Sequence, residues 1–174
     1  MSDLRELERN SIRAFVTQAA SEGYLSGRVL DYGCGKQPYR DVVEAAGGTY
    51  TPYDAPSFPG NVGTLDTTGD AWGHDFDTVL CTQVVQYVED VPEFLWRLRI
   101  ERLAKGGGVL VLTYPTNWPE VEEADLHRFT RAGMGRLLVD AGFTVVMHQR
   151  RASVWAERWS SEEFALGYGV VCRA

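Results

Sequence analysis

Asp31, Gly33, Gly35 and Asp54 are the residues of this chain whose types and spacing best suit chemistry. The first three lie in Arg28-Val-Leu-Asp-Tyr-Gly-Cys-Gly-Lys-Gln-Pro-Tyr-Arg40, where an apolar run ends in an acid and two closely spaced glycines. Glycine lets the backbone turn tightly and approach a ligand where a Cβ would intrude, so a strand turning this way into a helix suits a nucleotide-like ligand. Asp54 closes a second short run, Thr49-Tyr-Thr-Pro-Tyr-Asp54. Its separation from the glycines, about 20 residues, is that of a carboxylate gripping ribose hydroxyls. Taken alone, the turn is equally a plain strand-to-helix connection. His127 is a further chemical candidate, because imidazole can accept a proton near neutral pH. Its alternative is a surface or capping histidine ahead of Thr130.

These groups need elements to hold them. Val29 and Leu30 close a buried strand before the glycines, and Thr49 to Asp54 reads as the next one. Phe76-Asp-Thr-Val-Leu-Cys-Thr-Gln83 and Gly106-Gly-Gly-Val-Leu-Val-Leu-Thr-Tyr-Pro115 supply two more, so the β signals arrive in α/β order. Residues 3 to 22 read as an amphipathic helix with Leu4, Leu7, Ile12, Phe15, Val16 and Ala19 on one stripe and Gly23 near its end. Asp90 suits the N-cap of a helix reaching about Ala104, with Val91, Leu95 and Leu98 inward. Thr130 suits the cap of another that Gly142 ends, and Thr144 to Arg150 with Gly167 to Arg173 read as a closing pair of strands.

In these blocks the chain resembles the class I S-adenosylmethionine-dependent methyltransferases, in particular the small type 11, UbiE-like group. The stretches that carry the resemblance are VLDYGCGKQPYR, YTPYD, FDTVLCTQVVQYVEDVPEFL, LAKGGGVLVLTYP and DLHRFTRAGMGRLLVDAGFTVV, in that order. The resemblance implies an α/β fold: a Rossmann-like, doubly wound, seven-stranded, mostly parallel sheet with an antiparallel C-terminal edge hairpin. It implies a single domain over residues 1–174, in which residues 1–24 hold either a lid helix or a helix packed on the sheet, and 115–129 a substrate loop. The implied cofactor is S-adenosyl-L-methionine, with S-adenosyl-L-homocysteine as product. Asp31, Gly33, Cys34 and Gly35 would surround its methionine part, Asp54 would bind the ribose, Leu65 and Asp66 would flank the adenine, and Gln83 and Val84 would stand beside the reactive methyl.

Tyr87 would be catalytic in this scheme, its phenol hydrogen-bonding a nucleophile or stacking on an aromatic acceptor. Two positions depart from the group's pattern: Gln37 replaces a third glycine, and Gln86-Tyr87 replaces a Glu-His pair. The second departure keeps open a non-catalytic cofactor-binding subunit that supports a partner enzyme. An NAD-dependent oxidoreductase fits less well, since Gly33-Cys34-Gly35-Lys36-Gln37-Pro38 lacks the last glycine of G-x-G-x-x-G. The expected reaction is methyl transfer to oxygen or nitrogen of a small metabolite or glycan-like acceptor, with a small carbon acid also open. The sulfonium already activates the methyl, so the protein must mainly align the acceptor and keep water out.

Composition bounds the rest. The 174 residues, 44% hydrophobic, suffice for one domain with a sizeable core. A formal charge of -7 argues against a broad phosphate-binding face and so against nucleic acid. The basic clusters Arg97/Arg99/Arg102/Lys105 and Gln149-Arg150-Arg151 are short and read as solvated. Three cysteines and three histidines show no ligand spacing, so no metal is expected. With no long apolar span or secretory pattern the expectation is a cytoplasmic protein, with a homodimer open. Tyr39, Tyr53, Tyr114, Trp155 and Trp159 stand near strand ends or in the last connection, where they suggest an aromatic pocket with about half of them serving packing. Trp118 either faces a substrate or plugs its loop against the sheet. Asp125 and Arg128 are spaced for a local ion pair, worth about 0.2 to 1 kcal/mol if exposed.

Overall fold

In a computed structural model of the chain, residues 2–54, 75–103, 107–120, 124–153 and 165–174 are described. Within them six strands hydrogen-bond into one sheet: β1 Gly27–Tyr32, β2 Gly48–Tyr53, β3 Thr78–Thr82, β4 Val109–Pro115, β5 Thr144–Ser153 and β6 Ala165–Arg173. Their order is β2-β1-β3-β4-β6-β5. The first four run parallel, while β6 pairs antiparallel with both β4 and β5. The sheet therefore has the expected class and antiparallel edge, but six strands rather than seven among the described residues. The strand end expected at Leu65 and Asp66 lies outside them.

Alternation along the strands builds two apolar faces. Val79 and Cys81 of β3, Leu110 and Leu112 of β4, and Val170 and Cys172 of β6 join one core, and Leu80, Val111 and Val171 join the other. All five residues of β3 are buried, as a central parallel strand covered on both faces requires. The first face packs under Leu95 of α3 (Val91–Arg97) and under Met134 and Leu138 of α4 (Arg131–Asp140). The second packs under Ile12, Phe15, Val16 and Ala19 of α1 (Ser2–Ser21) and Val43 of α2 (Arg40–Ala45). Each fully buried leucine or valine contributes about 1.5 to 3 kcal/mol.

The caps behave as their residue types dictate. The Asp90 side chain accepts the Glu93 N–H at 2.9 Å and the Thr130 hydroxyl accepts the Gly133 N–H at 3.0 Å. After α3 the chain continues through a π-helical turn, Leu98–Arg102. One detail of α1 differs from expectation. Leu7 is exposed and Glu8 is buried, because stepping back four residues from Ile12 along a helical stripe lands on position 8.

A candidate cofactor turn and acceptor cavity

Sheet order reverses between β1 and β3, since β2 lies on one side of β1 and β3 on the other. Ligands of open α/β sheets bind at the carboxyl edge of such a point. The chain leaving β1 there turns through Gly33 at φ 80 and Gly35 at φ 49, both in the left-handed region. The Gly33 and Cys34 N–H groups donate to the Tyr53 carbonyl at 2.8 and 2.9 Å, and the Gly35 N–H donates to Asp54 Oδ2 at 2.6 Å. A Cβ on Gly33 would stand 2.1 Å from Val84 Cγ2. The fold thus brings Asp31, Gly33, Cys34, Gly35, Asp54 and Val84 together.

Asp31 is fully buried in β1, and its Oδ2 accepts the Tyr50 hydroxyl at 2.5 Å. Its Oδ1 has no hydrogen-bond partner among the described residues. Burial, opposed by the Tyr50 hydrogen bond and aided by nearby Asp54, pushes the Asp31 carboxyl up to about 7. Burial and the same two acids push the Cys34 thiol up to about 12, which keeps it protonated and unreactive.

Past β3, Gln83 adopts φ 56, a strained value for a residue with a side chain. Two hydrogen bonds to β4 hold it: its N–H donates to the Thr113 carbonyl and its Nε2 to Thr113 Oγ1, each at 3.1 Å. Gln86 Nε2 donates to the Gln83 carbonyl at 3.0 Å. The Gln86 carbonyl in turn accepts the N–H groups of Leu126 and His127 at 2.8 and 3.2 Å, which docks the segment following β4 against the end of β3. Arg128 gives that segment its shape. It grips both oxygens of Asp125 at 2.5 and 2.6 Å and donates to the carbonyls of Trp118, Pro119 and His127 at 2.8 to 3.0 Å. The Asp125 side chain is 2% exposed, so the pair is not the surface contact its spacing suggests.

A cavity of about 540 Å³, within the range of small-ligand sites, opens between the N-terminal half of α1 and these carboxyl ends. Glu8 and Ile12 line it from α1, Gln83, Gln86 and Tyr87 from the end of β3, and Trp118 and Asp125 from the segment after β4. The two catalytic candidates part here. Tyr87 is on the cavity wall, whereas His127 Nε2 donates to the Val88 carbonyl at 2.9 Å and its ring packs on Phe129. Beneath the cavity Arg151 is buried and donates to Glu8 Oε1 at 3.0 Å, Ser11 Oγ at 3.2 Å, and the Tyr114 and Tyr168 carbonyls at 3.2 and 3.1 Å. It is not the solvated cation its short basic run suggests.

Comparison with known proteins agrees with this geometry. Residues 4–149 match the family described as methyltransferase domain. The chain belongs to that family. No curated protein sequence matches it, but solved structures do. A chain of the complex between the Haloferax volcanii Trm112 activator and a methyltransferase is 17% identical, with a TM-score of 0.68 over 98% of this chain and 94% of that one. A SAM-dependent methyltransferase from Archaeoglobus fulgidus is 14% identical, with a TM-score of 0.67 over 95% and 94%. Magnesium protoporphyrin IX methyltransferase from Synechocystis PCC 6803 with bound SAM is 18% identical, with a TM-score of 0.65 over 99% and 81%. At these identities the likeness is one of fold.

In this methyltransferase domain the aromatic residues lining the cavity, among the described residues, are Tyr87 and Trp118, and not the Tyr39, Tyr53 and Tyr114 expected at strand ends. Tyr114 is fully buried, stacked on Tyr168 with its hydroxyl 2.6 Å from His148 Nε2, and Tyr39 belongs to the core under α1. Tyr53 packs on Tyr32 with ring centroids 4.8 Å apart. Each alternates onto a covered face or meets another ring, and so packs where a strand-end position alone suggests a wall. Trp155 and Trp159 lie outside the described residues. Glu8 and Arg151 are the functional candidates that sequence reading passes over. The helical stripe through Ile12 was the available signal for Glu8; for Arg151, isolated in β5 from its partners in α1, there was none.

Proposed function

We propose that this domain transfers a methyl group from S-adenosyl-L-methionine to oxygen or nitrogen of a small metabolite or glycan-like acceptor. The observation that carries this reading is the convergence, at one switch point, of the glycine turn after β1, Asp54 after β2 and the strained Gln83 after β3, with a cavity beyond them. The residues fit such a cofactor. A Cβ at position 33 would fill the turn, and the unpartnered Oδ1 of Asp31 suits a cationic ammonium group. When bound, the cofactor supplies an electrophilic methyl on a sulfonium.

In this scheme Asp31 takes the ammonium, and Asp54, oriented by the Gly35 N–H, takes the ribose hydroxyls. Leu65 and Asp66 are assigned to the adenine on the family resemblance alone. Gln83 and Val84 face the reacting group, and the Thr113 bonds keep Gln83 from relaxing. Tyr87 orients the acceptor from the cavity wall, and His127 acts as a brace through Val88. The first turns of α1 serve as a lid, the last as a packed helix: Leu4, Arg5 and Glu8 line the cavity while Phe15, Val16 and Ala19 are buried on the sheet. Residues 1–174 are taken as one domain, and residues 115–129 as its substrate loop. The order of the motif blocks supports a place near the UbiE-like type 11 group. No described helix is long and apolar enough to cross a membrane, and a cytoplasmic location is part of the proposal.

The test is calorimetric titration with S-adenosylmethionine and S-adenosylhomocysteine, with NAD as control. Saturable binding of the first two and none of NAD is expected, and Asp54→Ala is expected to weaken it more than about tenfold. Binding of NAD alone would overturn the cofactor, and unchanged affinity in the variant would overturn the role of Asp54.

A further inference from the structure

Two buried oxygens of residues that line the cavity, Glu8 Oε2 and Gln86 Oε1, have no hydrogen-bond partner among the described residues. Both residues are more than nine-tenths buried, Glu8 at 7% exposure and Gln86 at 4%. Their orientations are fixed by what lies behind them. The Gln83 carbonyl can only accept, so Gln86 must turn its amide nitrogen toward it and present its oxygen elsewhere. Arg151 can only donate and holds Glu8 Oε1, which leaves Oε2 as the carboxylate oxygen without a partner.

Buried acceptors without donors cost about 1 to 3 kcal/mol each, so a fold retains them where something else satisfies them. Arg5 and Arg9 of α1 line the cavity as well, and two further cations nearby are engaged. Arg151 makes four hydrogen bonds below the cavity, and Arg128 is wrapped around Asp125 and three carbonyls. The buried part of the wall is therefore left with acceptors that a ligand's donors would satisfy.

We propose that Glu8 and Gln86 select the methyl acceptor by its hydrogen-bond donors: the cavity takes a small molecule carrying clustered hydroxyl or amino groups in preference to one without donors. This inference rests on the methyl-transfer reading and names the substrate class of that site. Amino groups gain additionally from the Glu8 charge, whereas hydroxyls use the two oxygens alike.

The test uses the full chain saturated with S-adenosylhomocysteine, whose binding is confirmed first by calorimetry. Ligand-observed NMR then screens neutral polyols, amino polyols and donor-free ethers of similar size. Hits among the polyols and amino polyols and none among the ethers are expected. Glu8→Gln keeps an oxygen for Arg151 but puts a donor in place of Oε2, and Gln86→Met removes the acceptor at similar length. Each is expected to weaken the hits by at least about tenfold while S-adenosylhomocysteine binding is retained. A larger loss for amino polyols than for polyols in Glu8→Gln identifies the amine as the recognised group, and equal losses identify the hydroxyl. Hits among the ethers, hits indifferent to both substitutions, or no hit among the donor-bearing sets would overturn the proposal. Failure to bind S-adenosylhomocysteine would instead overturn the methyl-transfer reading beneath it.

Discussion

The turn after β1 and the cavity beside it are held by opposite means. At the turn, backbone N–H groups of Gly33, Cys34 and Gly35 hang on Tyr53, the last residue of the adjoining parallel strand, and on Asp54 just after it. At the cavity, side chains from α1, the end of β3, the segment after β4 and β5 interlock, and Glu8 and Arg151 are 143 residues apart in the chain. The turn needs few particular side chains but demands glycine where Val84 approaches. The cavity depends on buried charge, where each member secures the others. A substitution should therefore act on the turn through shape and on the cavity through unpaired charge.

The largest test of that contrast is Arg151→Met. It leaves the buried Glu8 carboxylate without its cation and is expected to cost about 3 to 5 kcal/mol in chemical denaturation. Adding Glu8→Leu should restore most of the loss, since the uncompensated charge is gone. A double variant as unstable as the single one would show that Arg151 acts through its carbonyl contacts to Tyr114 and Tyr168 and not through Glu8.

The same contrast explains what was legible in the chain. Strand alternation, the caps at Asp90 and Thr130, and the glycine ends at Gly23 and Gly142 are local, so spacing reveals them. The glycine turn and Asp54 were legible because they belong to one β-α-β passage with parallel register from Gly27 opposite Gly48. Glu8 and Arg151 were hidden because each reads as an ordinary surface charge within its own segment. Their burial depends on α1 packing where the carboxyl end of β4 meets the amino end of β6, a tertiary fact. Tyr114 misled for a related reason: its position at a strand end suggests a pocket, but its side chain alternates onto the face covered by Phe129 and Tyr168.

A shape test at the turn comes next in size. Gly33→Ala combines left-handed backbone strain with a Cβ at 2.1 Å from Val84 Cγ2, and is expected to cost about 2 to 5 kcal/mol. Measured by denaturation and by S-adenosylhomocysteine titration, it should lower stability and cofactor affinity together. Gly33→Ala combined with Val84→Ala should recover the steric part and leave the backbone part. If the single variant matches wild type in both measurements, the turn is pliable and the contrast with the cavity fails.

The smallest effect tests whether the turn also carries an electrostatic cost. Asp31 is held at about 7 in the folded protein, against about 3.9 in an unfolded chain, so between those values the native state binds the extra proton. Its contribution to stability is then fully present below about pH 4 and is lost as pH rises through 7. Between pH 6 and 8 the wild type should lose about 1 kcal/mol through this residue, and Asp31→Asn should not. His148 works in the other direction: burial and Arg131 push it down to about 4, so its contribution rises with pH toward 6.5. Because His148 is common to both proteins, the difference between wild type and Asp31→Asn at each pH isolates Asp31. Parallel curves would mean that the Tyr50 hydrogen bond fully offsets burial, leaving the turn, unlike the cavity, without a stored charge penalty for a cationic ligand to relieve.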